Sequence, residues 1–577
     1  MRRGRASLLA QSFTLSAILL GAAMGTRLAA QTLVTYDINA LPASVTPASV
    51  APIPALNVFA TELTRGGGLV GTFSAMGFNS RSWGGTSVAG SIAGNDYLTF
   101  QVAPAANYQF AFTGISSAIQ HSAAGPGTAD WIYSIDGFAN PLAEITSISS
   151  GSDTPFNVTG MSNTAVIRAV EFRIVAWNVP AVAASATFKL SATAASRNLT
   201  LNGSASLRSA ATLTWDGGQG ANWDAYNALA TDQSSWDLNR TPTAGLADTL
   251  VFAGSNQTSP NNNIANLAIA GIQFSSGASP FTVGGNALTV GAGGIVNNDN
   301  DTQTVAMDMA LGADQSFSAT SGNLSITGAV NTNGKALGVG GAFNTTMSGA
   351  IGGGGSLSKS GAGILTLTGS NTYGGTTAVS AGVLRLNGTH TGGGAYAVSG
   401  TGVLGGTGST ASAVTISLGG TIAPGSGGVG ELTTGAQAWG PGGTYEWELS
   451  DAAGAPATGW DHLSFTALAV TATSDLGSTF TIKLVAPSPA NFDPSQVYSW
   501  RIGRTTTPGA ISGFDALVVL IDRSGFVGAD PSAVFTVTQA GDDIFINYAV
   551  PEPGGVGIVV LGVFALRRRG PTKRLSF

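Results

Sequence analysis

Cysteine is absent from the 577-residue chain. Disulfides, thiolate nucleophiles and cysteine metal sites are therefore excluded. Charge is scarce too: Asp, Glu, Lys and Arg make up 9% of residues, against about 25% in an average protein. From Gln315 to Gly430 there is no Asp or Glu, and Lys335, Lys359 and Arg385 are the only charged residues. Cleaving a glycosidic bond there would need two carboxylates that this stretch does not carry. His121, His390 and His462 are the three histidines; none stands four residues from another, so there is no local zinc motif. No Gly-Lys-Ser or Gly-Lys-Thr marks a phosphate loop. No basic patch interleaved with aromatics marks a nucleic-acid surface, and the net charge is −6. No cofactor is implied.

Glycine is abundant, at 82 residues, and 43% of the chain is hydrophobic, which is too much for a disordered polymer. Short apolar runs between turn residues predict an all-β protein. Residues 31–195 alternate in period two. Leu98, Phe100 and Val102 share a face, as do Tyr108, Phe110 and Phe112, then Val170, Phe172 and Ile174. This predicts a jelly-roll-like β-sandwich. Residues 196–213 read as a polar linker.

Residues 214–440 read as a Gly-rich parallel β-helix. Leu365, Leu384, Leu404 and Ile422 recur at steps of 19, 20 and 18 residues, one coil per step. The block holding Trp215, Trp223 and Trp236 reads as an aromatic cap over the first coil, with a sugar-stacking platform as the alternative. Asp216, Asp224 and Asp237 lie in turn-like contexts beside those tryptophans. Asp299 and Asp301 alternate as calcium ligands do, but lack the glycine and distal glutamate of a calcium loop, so a solvated turn is expected. Strand signals over 441–549 predict a smaller C-terminal β-domain that closes the solenoid.

The segment 356–388 carries Lys359, Gly361, Gly363, Leu365, Leu367, Asn371, Tyr373, Gly375, Gly382 and Leu384. In this it resembles the autotransporter-associated β-strand repeat of bacterial surface proteins. The resemblance implies a passenger-like right-handed β-helix.

Both ends of the chain read as addresses. Arg2, Arg3 and Arg5, an apolar stretch from Leu15 to Met24 and cleavage after Ala30 predict a signal peptide over 1–30. In the tail, 550–577, Pro551, Glu552 and Pro553 precede a 13-residue apolar run, Gly554 to Leu566, and then Arg567, Arg568 and Arg569. The run is shorter than the roughly 20 residues of a stable membrane helix, and the arginines favour the cytoplasmic side. This tail resembles the PEP-CTERM sorting signal. That resemblance implies an exosortase-type processing protease as partner, a short sorting helix that engages the membrane before processing, and association with extracellular polysaccharide. The expectation is a non-enzymatic exported surface or matrix protein involved in adhesion. One rival is a carbohydrate-binding protein that uses Trp83 and Trp131 of the sandwich; another is a secreted polysaccharide-degrading enzyme.

Overall fold

The computed structural model describes residues 31–551, apart from 39, 42–45, 73–76, 106–107, 162–165, 180–185, 192–197, 226–233, 238–239 and 476. The signal peptide, and the tail from Glu552 onward with its expected sorting helix, lie outside the described residues. The fold is nearly all-β, 51% strand and 3% helix. It forms two compact units that divide between Arg208 and Ser209.

The first unit is the sandwich: three antiparallel sheets around one apolar core. Alternation decides which side chains enter that core. Leu98, Phe100 and Val102 of Tyr97–Pro104 are buried, Gln101 is exposed, and Phe172 of Val170–Trp177 lies opposite Phe100. Their rings stack at 5.3 Å. The polar linker expected over 196–213 is not what forms. Leu199–Leu207 is a central strand, antiparallel to both Gln31–Tyr36 and Tyr108–Ser116. Its inward residues Leu199, Leu201 and Gly203 alternate with Thr200, Asn202 and Ser204. Only two of its inward positions are large, so its alternation is faint in the sequence.

The second unit is a β-solenoid of about nine turns. Each middle coil has three short strands; one runs through Leu357–Lys359, Ile364–Leu367 and Ser370–Asn371. Parallel pairing stacks each strand on its counterpart one coil away, so every coil satisfies its neighbour's backbone. The predicted register is found: Leu365 pairs with Leu384, Leu384 with Leu404 and Leu404 with Ile422, all buried. At the start of the stack Thr212–Trp215 pairs with Asp248–Phe252. There Trp236 packs edge-on against Trp215 and Trp223, at 5.0 and 5.6 Å.

Among the described residues, the stretch after 440 continues the stack rather than forming a smaller domain of its own. Tyr445 continues the ladder from Ile422, then Ile482 and Ile521 extend it. The steps lengthen to 23, 37 and 39 residues because long loops leave the coil, and this hid the period. The third face ends in antiparallel pairing of Tyr498–Thr505 with Asp543–Ala549, and of that strand with Val534–Ala540. Among the described residues, no helix is long and apolar enough to cross a membrane.

Candidate functional site

The repeat coil was the strongest sequence signal, and its residues are architectural. Leu365, Leu367, Leu384 and Tyr373 are fully buried, and Asn371 is buried with them. The Asn371 Oδ1 accepts from the Ile351 N–H at 3.0 Å, and its Nδ2 donates to the Gly369 carbonyl at 3.0 Å. Gly361 and Gly382 turn the corners at φ of +74° and +64°. A Cβ at Gly363 or Gly375 would collide with the Phe343 or Gly355 carbonyl of the preceding coil.

Lys359, counted among the few available charges, is withdrawn from the surface. It occupies an inward position between Val339 and Val379 and is 2% exposed. Its Nζ donates to the carbonyls of Ser360, Gly361 and Ala381 at 2.8, 2.8 and 3.1 Å. Burial pushes its pKa down to about 8. The sequence signal was there: its parity is that of the inward Leu357. His390 is likewise internal. It stacks on Tyr373 at 4.1 Å, its Nε2 lies 2.8 Å from the Tyr373 carbonyl, and its Nδ1 lies 2.9 Å from the Tyr396 hydroxyl. Burial lowers its pKa.

The aromatic platforms are not available to a ligand. Trp83 and Trp131 are 1% and 0% exposed, and Trp215, Trp223 and Trp236 are equally enclosed. This removes both sugar-stacking readings that rested on these residues, since a stacking ring must present a face. Nor is Asp299 in a solvated turn. It is 1% exposed, and its carboxylate accepts from the N–H groups of Gly277 and Asp301 at 2.7 and 2.8 Å. Those bonds hold a coil corner. Asp216 and Asp237 accept from the N–H groups of Gly218 and Thr214, and Asp224 accepts from the Asn263 amide. No cluster of three metal-ligating side chains occurs among the described residues.

Two buried carboxyls, Asp130 and Asp461, carry no local signal in the sequence. Burial raises Asp130 to about 7, with the neighbouring Glu144 adding to the effect. Burial raises Asp461 to about 8, against the N–H bonds it accepts from Gly430 and Glu448 at 2.8 and 3.0 Å. The carboxylates near them are strand neighbours: Glu144 lies opposite Asp130, and Glu446 and Glu448 lie near Asp461. His462, beside Asp461, is buried with its Nδ1 3.4 Å from Glu431, while His121 contacts the Ile148 carbonyl at 2.7 Å. A shallow cavity of about 390 Å³ on the solenoid surface is lined by Asn266, Thr289, Asp308 and Asn331, among others. Its one carboxylate, Asp308, accepts from the Ala329 N–H at 2.8 Å.

Pro551 is exposed just beyond the last strand, while Glu552, Pro553 and Arg567 to Arg569 lie outside the described residues. Two comparisons bear on the rest. Residues 357–386 match the family model described as the passenger-associated-transport-repeat. An 84-residue stretch is 42% identical to the adhesin BmaC autotransporter of Brucella suis biovar 1 (strain 1330). That stretch is 14% of this chain and 2% of the adhesin.

Proposed function

We propose that the chain is an exported surface protein that acts by display and attachment, without catalysis. One observation carries the reading: a passenger-associated-transport-repeat coil, in a chain with an 84-residue stretch similar to an autotransporter adhesin, lies within a continuous solenoid whose conspicuous polar and aromatic side chains are spent on its own backbone and core. A stack of this kind projects a long outer surface from a rigid body. The absence of carboxylates from Gln315 to Gly430 favours attachment over glycoside hydrolysis. Protease shaving of intact cells tests the reading. Loss of the chain from live cells is expected; full protection against added protease overturns it. Release of reducing ends from polysaccharides above a heat-killed control would restore the enzyme reading.

We further propose that an exosortase-type protease processes the tail, and that the mature protein associates with extracellular polysaccharide. The exposure of Pro551 beyond the folded body favours access of a protease to Pro-Glu-Pro. Replacing Glu552 is expected to leave uncut precursor in the membrane fraction. Neutralising Arg567 to Arg569 is expected to weaken the membrane stop, so that unprocessed precursor escapes. Immunoblots of membrane, surface and medium fractions check both. A mature protein that keeps its last residues, found by mass spectrometry, replaces processing with a plain anchor.

A further inference from the structure

We infer that Lys189 and Asn79 of the sandwich join in an intramolecular isopeptide bond, with Asp153 as the proton relay. The two residues stand directly opposite each other where Gly77–Arg81 pairs antiparallel with Thr187–Ser191. Directly opposed side chains start about 5 Å apart at their Cβ atoms, a gap that the four-carbon stem of a lysine crosses. Phe188 and Leu190 enter the core, so Lys189 and Ser191 share the other face of the sheet. That face is covered as well: Asn79 is 7% exposed and Ser191 1%.

Three features make the pair reactive. Burial lowers the pKa of Lys189, while the nearby Asp153 carboxylate opposes the shift. Burial therefore brings the amine toward its neutral, nucleophilic form. The Asn79 side-chain carbonyl accepts from the Ser80 N–H at 3.0 Å, a donor placed where negative charge grows as Cγ is attacked. Asp153 is bonded to the Ser191 hydroxyl, two residues from Lys189 on the same face, where a carboxylate can pass a proton. The other described lysines lack this company. Lys359 lies between Val339 and Val379, Lys483 between Glu446 and Asp522, and Lys335 is outside any strand. Gln120 flanks Lys189 on its other side but is less buried than Asn79.

The Lys189 Nζ lone pair attacks Asn79 Cγ. The Nζ–Cγ bond forms and the Cγ–Nδ2 bond breaks. Asp153 takes one proton from Nζ and returns it to Nδ2, which leaves as ammonia. Nothing is oxidised or reduced, so no co-reactant is needed. The link ties strands from distant parts of the sandwich sequence, a brace that a cysteine-free chain cannot obtain from disulfides.

The test is intact-mass measurement of the purified mature chain, followed by peptide mapping. The expected mass falls short of the sequence by one ammonia, and the expected map joins the Asn79 and Lys189 peptides. Lys189→Arg and Asn79→Ser are expected to regain that mass and to melt at a lower temperature. Asp153→Asn is expected to leave most of the chain unlinked. Ring closure of an N-terminal glutamine or of an asparagine also loses ammonia, but it persists in Lys189→Arg. A folded wild-type chain of full mass, an ammonia loss that survives Lys189→Arg, or a link to Gln120 overturns the inference. Complete linkage in Asp153→Asn overturns the relay. Circular dichroism reports whether each variant has folded, and the wild-type mass decides the matter even where a variant has not.

Discussion

Single side chains in the coil interior have no room to adapt. Leu365 has a neighbour one coil before it and one after, Thr345 and Leu384. Leu365→Asp should cost more than about 3 kcal/mol, because an unpaired carboxylate would enter a dry core. Thr366→Asp, on the outward face, should cost little. Equal melting temperatures for the two would break this assignment of faces. Lys359 inverts the usual rule, since an apolar replacement should hurt. Lys359→Met keeps the volume but leaves three carbonyls without their donor, at about 1–3 kcal/mol. A Met variant that melts at or above wild type would show the bonds to be dispensable. Alternation made the inward leucines legible in advance. It also gave Lys359 the inward parity of Leu357, but a lysine is normally surface-seeking, and only the carbonyls of its own coil and of the next make the burial tolerable.

Elements differ in how they answer to pH. His390 joins the strands on either side of it through Tyr373 and Tyr396, and burial depresses its pKa. The unfolded chain therefore takes up a proton before the folded coil does. Solenoid stability should be intact above the unfolded value of about 6.5 and fall as pH drops below it. His390→Gln, which keeps a donor for the Tyr373 carbonyl, should flatten that fall in thermal melts recorded from pH 7 to 5. An unchanged slope would mean that His390 does not titrate in that way. In the sandwich the sign reverses. Asp130 holds its proton up to about 7 in the folded state, so stability should decline as pH rises from about 4 through that value. Asp130→Asn should melt higher than wild type at pH 8, with the gap narrowing by pH 4. A constant gap across that range would rule out the buried charge as its cause. None of this titration was visible in the sequence, because it depends on which strands cover each group.

At the scale of the molecule, the boundary between the units has a direct consequence. Leu199–Leu207 sits between two other strands of its sheet, so removing it opens that sheet and exposes its core. Residues 31–208 should fold with one cooperative melt, and residues 31–195 should not. The piece 209–551 should melt cooperatively by itself, since it has its own core. If 31–195 folds as well as 31–208, Leu199–Leu207 is not integral to the sandwich.

The sequence by itself determined the all-β class, the coil period, the inward face of the repeat and the aromatic block at its start. Each of these is a local pattern, set by side-chain alternation or by recurrence of similar residues at a near-constant step. Tertiary structure decided what no local pattern encodes. It made Leu199–Leu207 a strand, because strands from distant parts of the chain flank it. It carried the solenoid on to Val519–Phe526, because loops of any length can leave a coil without breaking its stack. It also enclosed Trp83, Trp131, Asp299 and Lys359, because exposure depends on the neighbours that folding brings together.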